Sequence, residues 1–181
     1  MTELVTPSPR YRASFLVADA ESTAEGSGRT VSNDAEFAAL LARFEQYAAG
    51  RDLQQHHVAE TTLWLVEGDE YIGRISLRHA LTPFLVVLGG HVGYDVRPSR
   101  RRQGHATRML ALAKPRLAAL GIDPALITCD VDNVGSRKVI EACGGRLATD
   151  DVDMAAAYAH ANEHARAMLT RPQLRFWLPT Q

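Results

Sequence analysis

The chain has 181 residues and a formal net charge of -1, with 20 Lys and Arg set against 21 Asp and Glu. That balance argues against a general nucleic-acid binder, which draws its affinity from surplus cations on the phosphate backbone. No run of 18 apolar residues and no basic-then-apolar leader is present, so neither a membrane partner nor secretion is expected and the expected location is cytoplasmic.

One domain over 1–181 suits the length, which can bury a sizeable core without disulfides. Residues 10–18 read as a first strand, followed by a Gly/Ser/Thr loop over 22–32. Ser32-Asn33-Asp34 then caps a helix with Phe37, Leu40, Leu41, Phe44 and Tyr47 at helical spacing, ended by Gly50. A hairpin is predicted from 61–67 and 71–79 across Glu67-Gly68-Asp69-Glu70, then a strand over 84–97. Beyond it come a helix over 104–119, a strand over 125–130 returning beside the previous one, and a helix over 134–142. Gly144-Gly145 leads to a strand over 146–149, an Ala-rich helical insert occupies 152–169, and a last strand covers 174–178. The class is α/β (α+β). Cys129 and Cys143 are too far apart for a C-x-x-C pair and read as free thiols in a reducing compartment.

The most informative stretch runs from Val92 to Leu110, where a strand breaks at Pro98 into an arginine-rich turn and then opens a helix. A helix N-terminus carries N–H groups without internal partners and a dipole that favours negative charge, so a phosphate or pyrophosphate is its natural guest. Gly104 and Ala106 leave the main chain open to such a guest, and Arg100, Arg101 and Arg102 surround the mouth with charge. Taken alone, the segment also admits a plainer reading, an ordinary basic turn before an amphipathic helix.

A second block resolves that ambiguity. Strand residues Ala125 to Asp130 are followed by Asn133, then Ser136-Arg137-Lys138-Val139-Ile140 and Gly144. Together with Tyr94-Asp95-Val96 and the turn Arg101-Arg102-Gln103-Gly104-His105-Ala106, this resembles the GNAT superfamily of acyl-CoA-dependent N-acetyltransferases. The family writes its turn Q/R-x-x-G-x-G/A, and the resemblance spans Val92 to Leu147. It implies a mixed, mostly antiparallel sheet of about seven strands with helices on both faces. Two neighbouring strands splay into a V that takes acetyl-CoA.

By the same resemblance, the pyrophosphate falls to Arg101, Arg102, Gln103, Gly104, His105, Ala106 and Thr107. The pantetheine arm pairs with Tyr94, Asp95 and Val96. Asn133 meets the arm from the other side, with Ser136 and Arg137 one helical turn on; Asn133 also suits a plain helix N-cap. Acyl transfer further needs a polarised carbonyl, best served by a main-chain N–H near Val96, and a proton for the departing thiolate. Many relatives place a Tyr seven residues beyond the Asn, but Ile140 stands there. Tyr94, Tyr71 or Tyr158 are the substitutes, or water. For the base, His91 at the start of the acyl-side strand titrates in a suitable range, ahead of Asp95, His79 and Glu60.

His160-Ala161-Asn162-Glu163-His164 spells H-x-x-E-H, an inverted zinc-peptidase pattern, but no acidic residue follows Glu163 to complete the set. No metal is therefore expected there, nor at His56-His57. The acceptor is a small-molecule or peptide amine, and a homodimer is left open. Two other readings stand beside the enzyme: a catalytically silent acyl-CoA-binding or regulatory module, and a nucleic-acid binder using Arg97 to Arg102.

Overall fold

The computed structural model describes residues 1–28, 31–54 and 57–181, without the side chain of His164. Its strands are β1 (Thr2–Val5), β2 (Glu60–Glu67), β3 (Glu70–Arg78), β4 (Val92–Val96), β5 (Ala125–Asp130), β6 (Arg146–Leu147) and β7 (Gln173–Leu178). Its α-helices are α1 (Arg12–Ala24), α2 (Asp34–Ala48), α3 (Pro83–Val87), α4 (His105–Ala119), α5 (Val134–Ala142), α6 (Met154–Ala159) and α7 (Glu163–Met168).

Strand β2 carries an unbroken apolar run from Leu63 to Val66, as a strand covered on both faces requires. Leu63 and Leu65 pack with Ile75 and Leu77 of β3 against Met109, Leu110, Ala113 and Leu117 of α4. From the opposite face Trp64 and Val66 pack with Tyr11, Phe15 and Phe37, under α1 and α2. Phe15 stacks on Trp64 at 5.1 Å between centroids, and Tyr71 meets the same indole edge-on at 5.1 Å. Trp64 has no exposed surface, and truncation to Ala there costs about 3–5 kcal/mol.

The strands form two antiparallel sheets, ordered β1-β2-β3-β4 and β5-β7-β6. They meet where β4 and β5 begin. His91 N–H donates to the Leu126 carbonyl at 2.7 Å, Leu126 N–H donates to His91 Nδ1 at 2.9 Å, and Gly89 N–H donates to Thr128 Oγ1 at 2.8 Å. Past these bonds β4 and β5 share no ladder and belong to separate sheets, the parting of neighbouring strands that the resemblance implies.

Several elements differ from the sequence reading. Residues 10–18 are helical rather than extended, because Tyr11, Phe15 and Ala18 lie at 3.6-residue spacing and bury one stripe on Trp64. The polar alternation at the start of that segment mimicked a strand over too short a window. The 84–97 strand is really two elements: Thr82 caps α3 by accepting from Leu85 N–H at 3.2 Å, and Gly89-Gly90, both at positive φ, turn the chain into the shorter β4. The strand at 125–130 does not lie hydrogen-bonded along its predecessor. Strand β1 was not foreseen, the 146–149 strand is limited to two residues, and the insert divides into α6 and α7. Ala157, Ala161 and Leu169 of that insert pack on Val87 in a small separate core. Among the described residues no helix is long and apolar enough to cross a membrane.

Candidate active site

The splay opens onto a cavity of about 890 Å³ that runs from the turn after β4 to α7. Tyr94, Asp95 and Val96 line one wall; Arg101, Arg102, Gly104, His105, Ala106 and Thr107 line the mouth; Asn133 and Ser136 line the far wall. These are the residues that two separated motifs single out, now gathered around one space.

Gly104 holds the mouth open. It sits at φ +81° as the N-cap of α4, and a Cβ added there would meet nothing within 4 Å, so the space beside the turn is free. No side chain caps this helix, which leaves the first-turn N–H groups facing the opening. The His105 Nε2 atom is buried without a hydrogen-bond partner among the described residues. An anion at the opening would satisfy the first-turn N–H groups.

The arginines divide the labour differently from the sequence reading. Arg97, only 7% exposed, pairs with Glu21 and Glu70 and donates to the Tyr71 carbonyl. Arg100 pairs with Glu67 and Glu70, and Arg101 with Glu25 at 2.7 Å while donating to the Val96 carbonyl at 3.0 Å. Arg102, at φ +62°, is the member of the cluster without a partner among the described residues. Glu21 also accepts from Ser99 N–H at 3.1 Å and from Ser99 Oγ. The Arg97 guanidinium, assisted by Ser99, holds the Glu21 carboxyl down at about 2. Most of the positive charge thus fastens the turn to α1 and the β2–β3 hairpin.

Tyr94 crosses the splay. Its hydroxyl lies 2.8 Å from Ser136 Oγ and 3.3 Å from the Ser136 carbonyl oxygen, to which it donates. Burial pushes the phenol up to about 12, so it stays protonated near neutrality. Asn133 Oδ1 accepts from Ser136 N–H at 2.9 Å and caps α5, leaving its amide nitrogen for other partners. Cys129 lines the cavity beside this group, and burial pushes its thiol up.

Of the residues singled out in the sequence, His91, Gln103 and Arg137 do not line the cavity, and neither do the alternative acids and bases Tyr71, Tyr158, His79 and Glu60. His91 uses Nδ1 to hold Leu126 N–H, and burial together with the Arg78 charge lowers its pKa. Gln103 donates back to the Ser99 carbonyl at 3.4 Å, and Arg137 pairs with Glu141 at 2.8 Å on its own helix. Conversely, Arg78, Leu88, Gly89, Thr128, Asp130, Met168 and Gln173 line the cavity without having been foreseen. They come from β3, the turn before β4, β5, α7 and β7, and only the fold brings them together. His160 Nδ1 lies 2.9 Å from the Ala156 carbonyl oxygen, whereas His56 and the His164 side chain fall outside the description. His57 rests against the Tyr47 ring at 5.7 Å.

The geometry agrees with what the chain resembles. Among solved structures, RimJ from Mycobacterium smegmatis in complex with CoA-disulfide superposes with a TM-score of 0.64 at 16% identity, over 98% of this chain and 81% of that one. The microcin C7 self-immunity acetyltransferase MccE, in complex with acetyl-CoA and AMP, gives 0.62 at 13% identity over 98% and 92%. The Salmonella typhimurium acetyltransferase that modifies the N-terminal serine of ribosomal protein L7/L12 gives 0.61 at 14% identity over 98% and 94%. Among curated proteins none matches the sequence. The family model described as an acetyltransferase (GNAT) domain matches residues 3–146, and the chain belongs to that family.

Proposed function

We propose that residues 1–181 act as one catalytic unit, transferring an acetyl group from acetyl-CoA to a primary amine of a small molecule or peptide. The observation that carries this is the splay itself. Strand β4 pairs with β3 on one edge only, so on its other edge Tyr94 and Val96 have no strand partner, beside a cavity whose mouth is a helix N-terminus where Arg102 has no partner among the described residues. An edge of unpaired N–H and C=O groups accepts an amide-rich chain as it would another strand. The first-turn N–H groups of α4 and the open space at Gly104 fit an anionic group at the mouth.

Acetyl-CoA supplies a thioester whose C–S bond breaks as the amine nitrogen forms the new C–N bond, releasing free thiol. Main-chain N–H groups of β4 near Val96 are fixed donors for the carbonyl oxygen and need no reorganisation. Tyr94 and Ser136 present hydroxyls to the leaving sulfur. A phenol near 12 does not surrender its proton fully to a thiolate whose conjugate acid lies at about 8.5. Its part is a hydrogen bond, with the proton delivered by water. The amine's own proton passes to solvent, since His91 keeps Nδ1 engaged with Leu126 N–H.

The silent binding module is favoured by one observation: Ile140, at the position where relatives carry their acid, has no exposed surface and faces the core. Turnover separates the two readings. Free thiol appearing from acetyl-CoA only when an amine is added, with a mass gain of one acetyl group on that amine, supports the enzyme. Binding without turnover over a panel of amines, amino acids and peptides supports the module. That panel includes N-terminal peptides, because the Salmonella typhimurium relative modifies a ribosomal protein's N-terminal serine.

A further inference from the structure

Strand alternation gives the cavity two sides. On β5, Ala125, Ile127 and Cys129 face the core beneath α4, so Thr128 and Asp130 face the other way. On β4, Tyr94 reaches α5, so Gly93 and Asp95 face that same other side, where Asp95 pairs with Arg74. The side toward α4 and α5 holds everything the acetyl donor requires. The opposite side is lined by Arg78, Gly93, Asp95, Thr128, Asp130 and Gln173, with Met168 at its end.

Three charged groups line this second side: Asp95, already held by Arg74, and Arg78 and Asp130, each with an atom still open. Arg78 Nε faces Glu60 at 3.2 Å, and Nη1 donates to the carbonyls of Gly89 and Gly90 at 2.9 and 3.1 Å. Its Nη2 has no partner among the described residues and lies over Gly93, where an added Cβ would be 3.4 Å away. The glycine leaves room for the guanidinium head. Across the splay, Gln173 Nε2 donates to Asp130 Oδ1, fixing that carboxylate with Oδ2 still open. Met168 of α7 adds an apolar surface to this side.

We propose that this side binds an acceptor amine that also carries a carboxylate, with the amine toward Asp130 and the carboxylate on the open edge of Arg78. The inference rests on the acetyl-transfer reading above. A planar guanidinium whose other donors are already used recognises a carboxylate through directed N–H groups. Glu60 offsets part of the Arg78 charge, so selection works through those donors rather than through a broad positive field. A simple alkylamine satisfies Asp130 alone, and a polyamine brings a second cation against Arg78. An amine bearing a carboxylate satisfies both walls.

The test is a set of matched acceptors differing only by the carboxylate: glycine with methylamine, β-alanine with ethylamine, and 4-aminobutyrate with propylamine, with putrescine beside them. The expected result is a preference of at least tenfold in kcat/KM for the carboxylate member of one or more pairs. Arg78→Gln should collapse that ratio toward one, while Asp130→Asn lowers both members of a pair alike and preserves the ratio. Arg78→Lys, which keeps the charge and loses the fork, serves where Arg78→Gln does not fold, and should also reduce the ratio. Pairs within twofold of one another, a preference for putrescine, or an Arg78 variant that scales both members equally would overturn the proposal. If no acceptor releases thiol, the acetyl-transfer reading falls separately. Calorimetric titration of the same pairs into the CoA-saturated protein then decides the acceptor question, with the same tenfold preference in affinity expected.

Discussion

His91 and Leu126 are joined twice, by a main-chain bond of 2.7 Å and by the Leu126 N–H donated to the imidazole Nδ1 at 2.9 Å. This double bond between the bases of β4 and β5 is the closed end of the splay. The second bond exists only while the ring is neutral at Nδ1, and burial with the Arg78 charge lowers the His91 pKa accordingly.

A depressed histidine pKa stabilises the fold at a pH above the unfolded value of about 6.5, and that stability is lost as the pH falls toward the folded value. Melting temperature measured from pH 7.5 to 5 should therefore fall more steeply for the wild type than for His91→Asn, whose amide oxygen can accept the same N–H without titrating. Parallel slopes would remove His91 as the titrating group.

Glu21 ties the turn after β4 to α1 through Arg97 and Ser99. Glu21→Gln keeps the shape and loses the charge, so the turn should loosen, with acetyl-CoA affinity reduced about three- to tenfold and a lower melting temperature at pH 7. The wild type should lose this contribution only below the ordinary carboxylate range, as the pH drops from about 4.5 toward the folded value near 2. An unaltered affinity in Glu21→Gln would show that the turn holds its form without the tether.

Tyr94→Phe removes the hydroxyl shared with Ser136. If that hydroxyl supports the leaving sulfur, kcat should fall about tenfold with the acetyl-CoA dissociation constant little changed, as for an interaction made mainly in the transition state. Full turnover in the variant would remove Tyr94 from the reaction and leave Ser136 and water as the donors.

Asn133 both caps α5 and points at the cavity. Asn133→Ala should cost about 0.5–2 kcal/mol of stability through the lost cap. Asn133→Asp keeps the cap and removes the amide N–H donor. Weaker acetyl-CoA binding in a fully stable Asn133→Asp, read by calorimetry against the melting curve, marks a ligand contact; unchanged binding leaves the residue a cap.

What the sequence disclosed and withheld has a common physical basis. The two motifs are local: the turn at Gly104 and the cap at Asn133 are written within a few residues each, and the helices and strands beside them lie where the pattern puts them. The first helix was misread because the Tyr11, Phe15 and Ala18 stripe makes sense only against Trp64, more than forty residues later. Arg100 and Arg101 read in the sequence as charge around the mouth, and their carboxylate partners, Glu67, Glu70 and Glu25, are too distant in sequence to show there. His91 was chosen as a base for its strand, yet the side chain's partner is set by tertiary pairing with β5. The second side of the cavity, with Arg78 and Asp130, could not be read at all without the fold.

The central claim is that the splay headed by Gly104 is the acetyl-CoA site, and calorimetric titration of acetyl-CoA into the wild type and Gly104→Val tests it most directly. Valine at φ +81° is strained and places side-chain atoms in the space beside the first-turn N–H groups. The account predicts binding to the wild type and at least tenfold weaker binding to a variant still folded by circular dichroism, a loss of about 1.4 kcal/mol or more. Equal affinity in the folded variant, or no binding to the wild type, would contradict it.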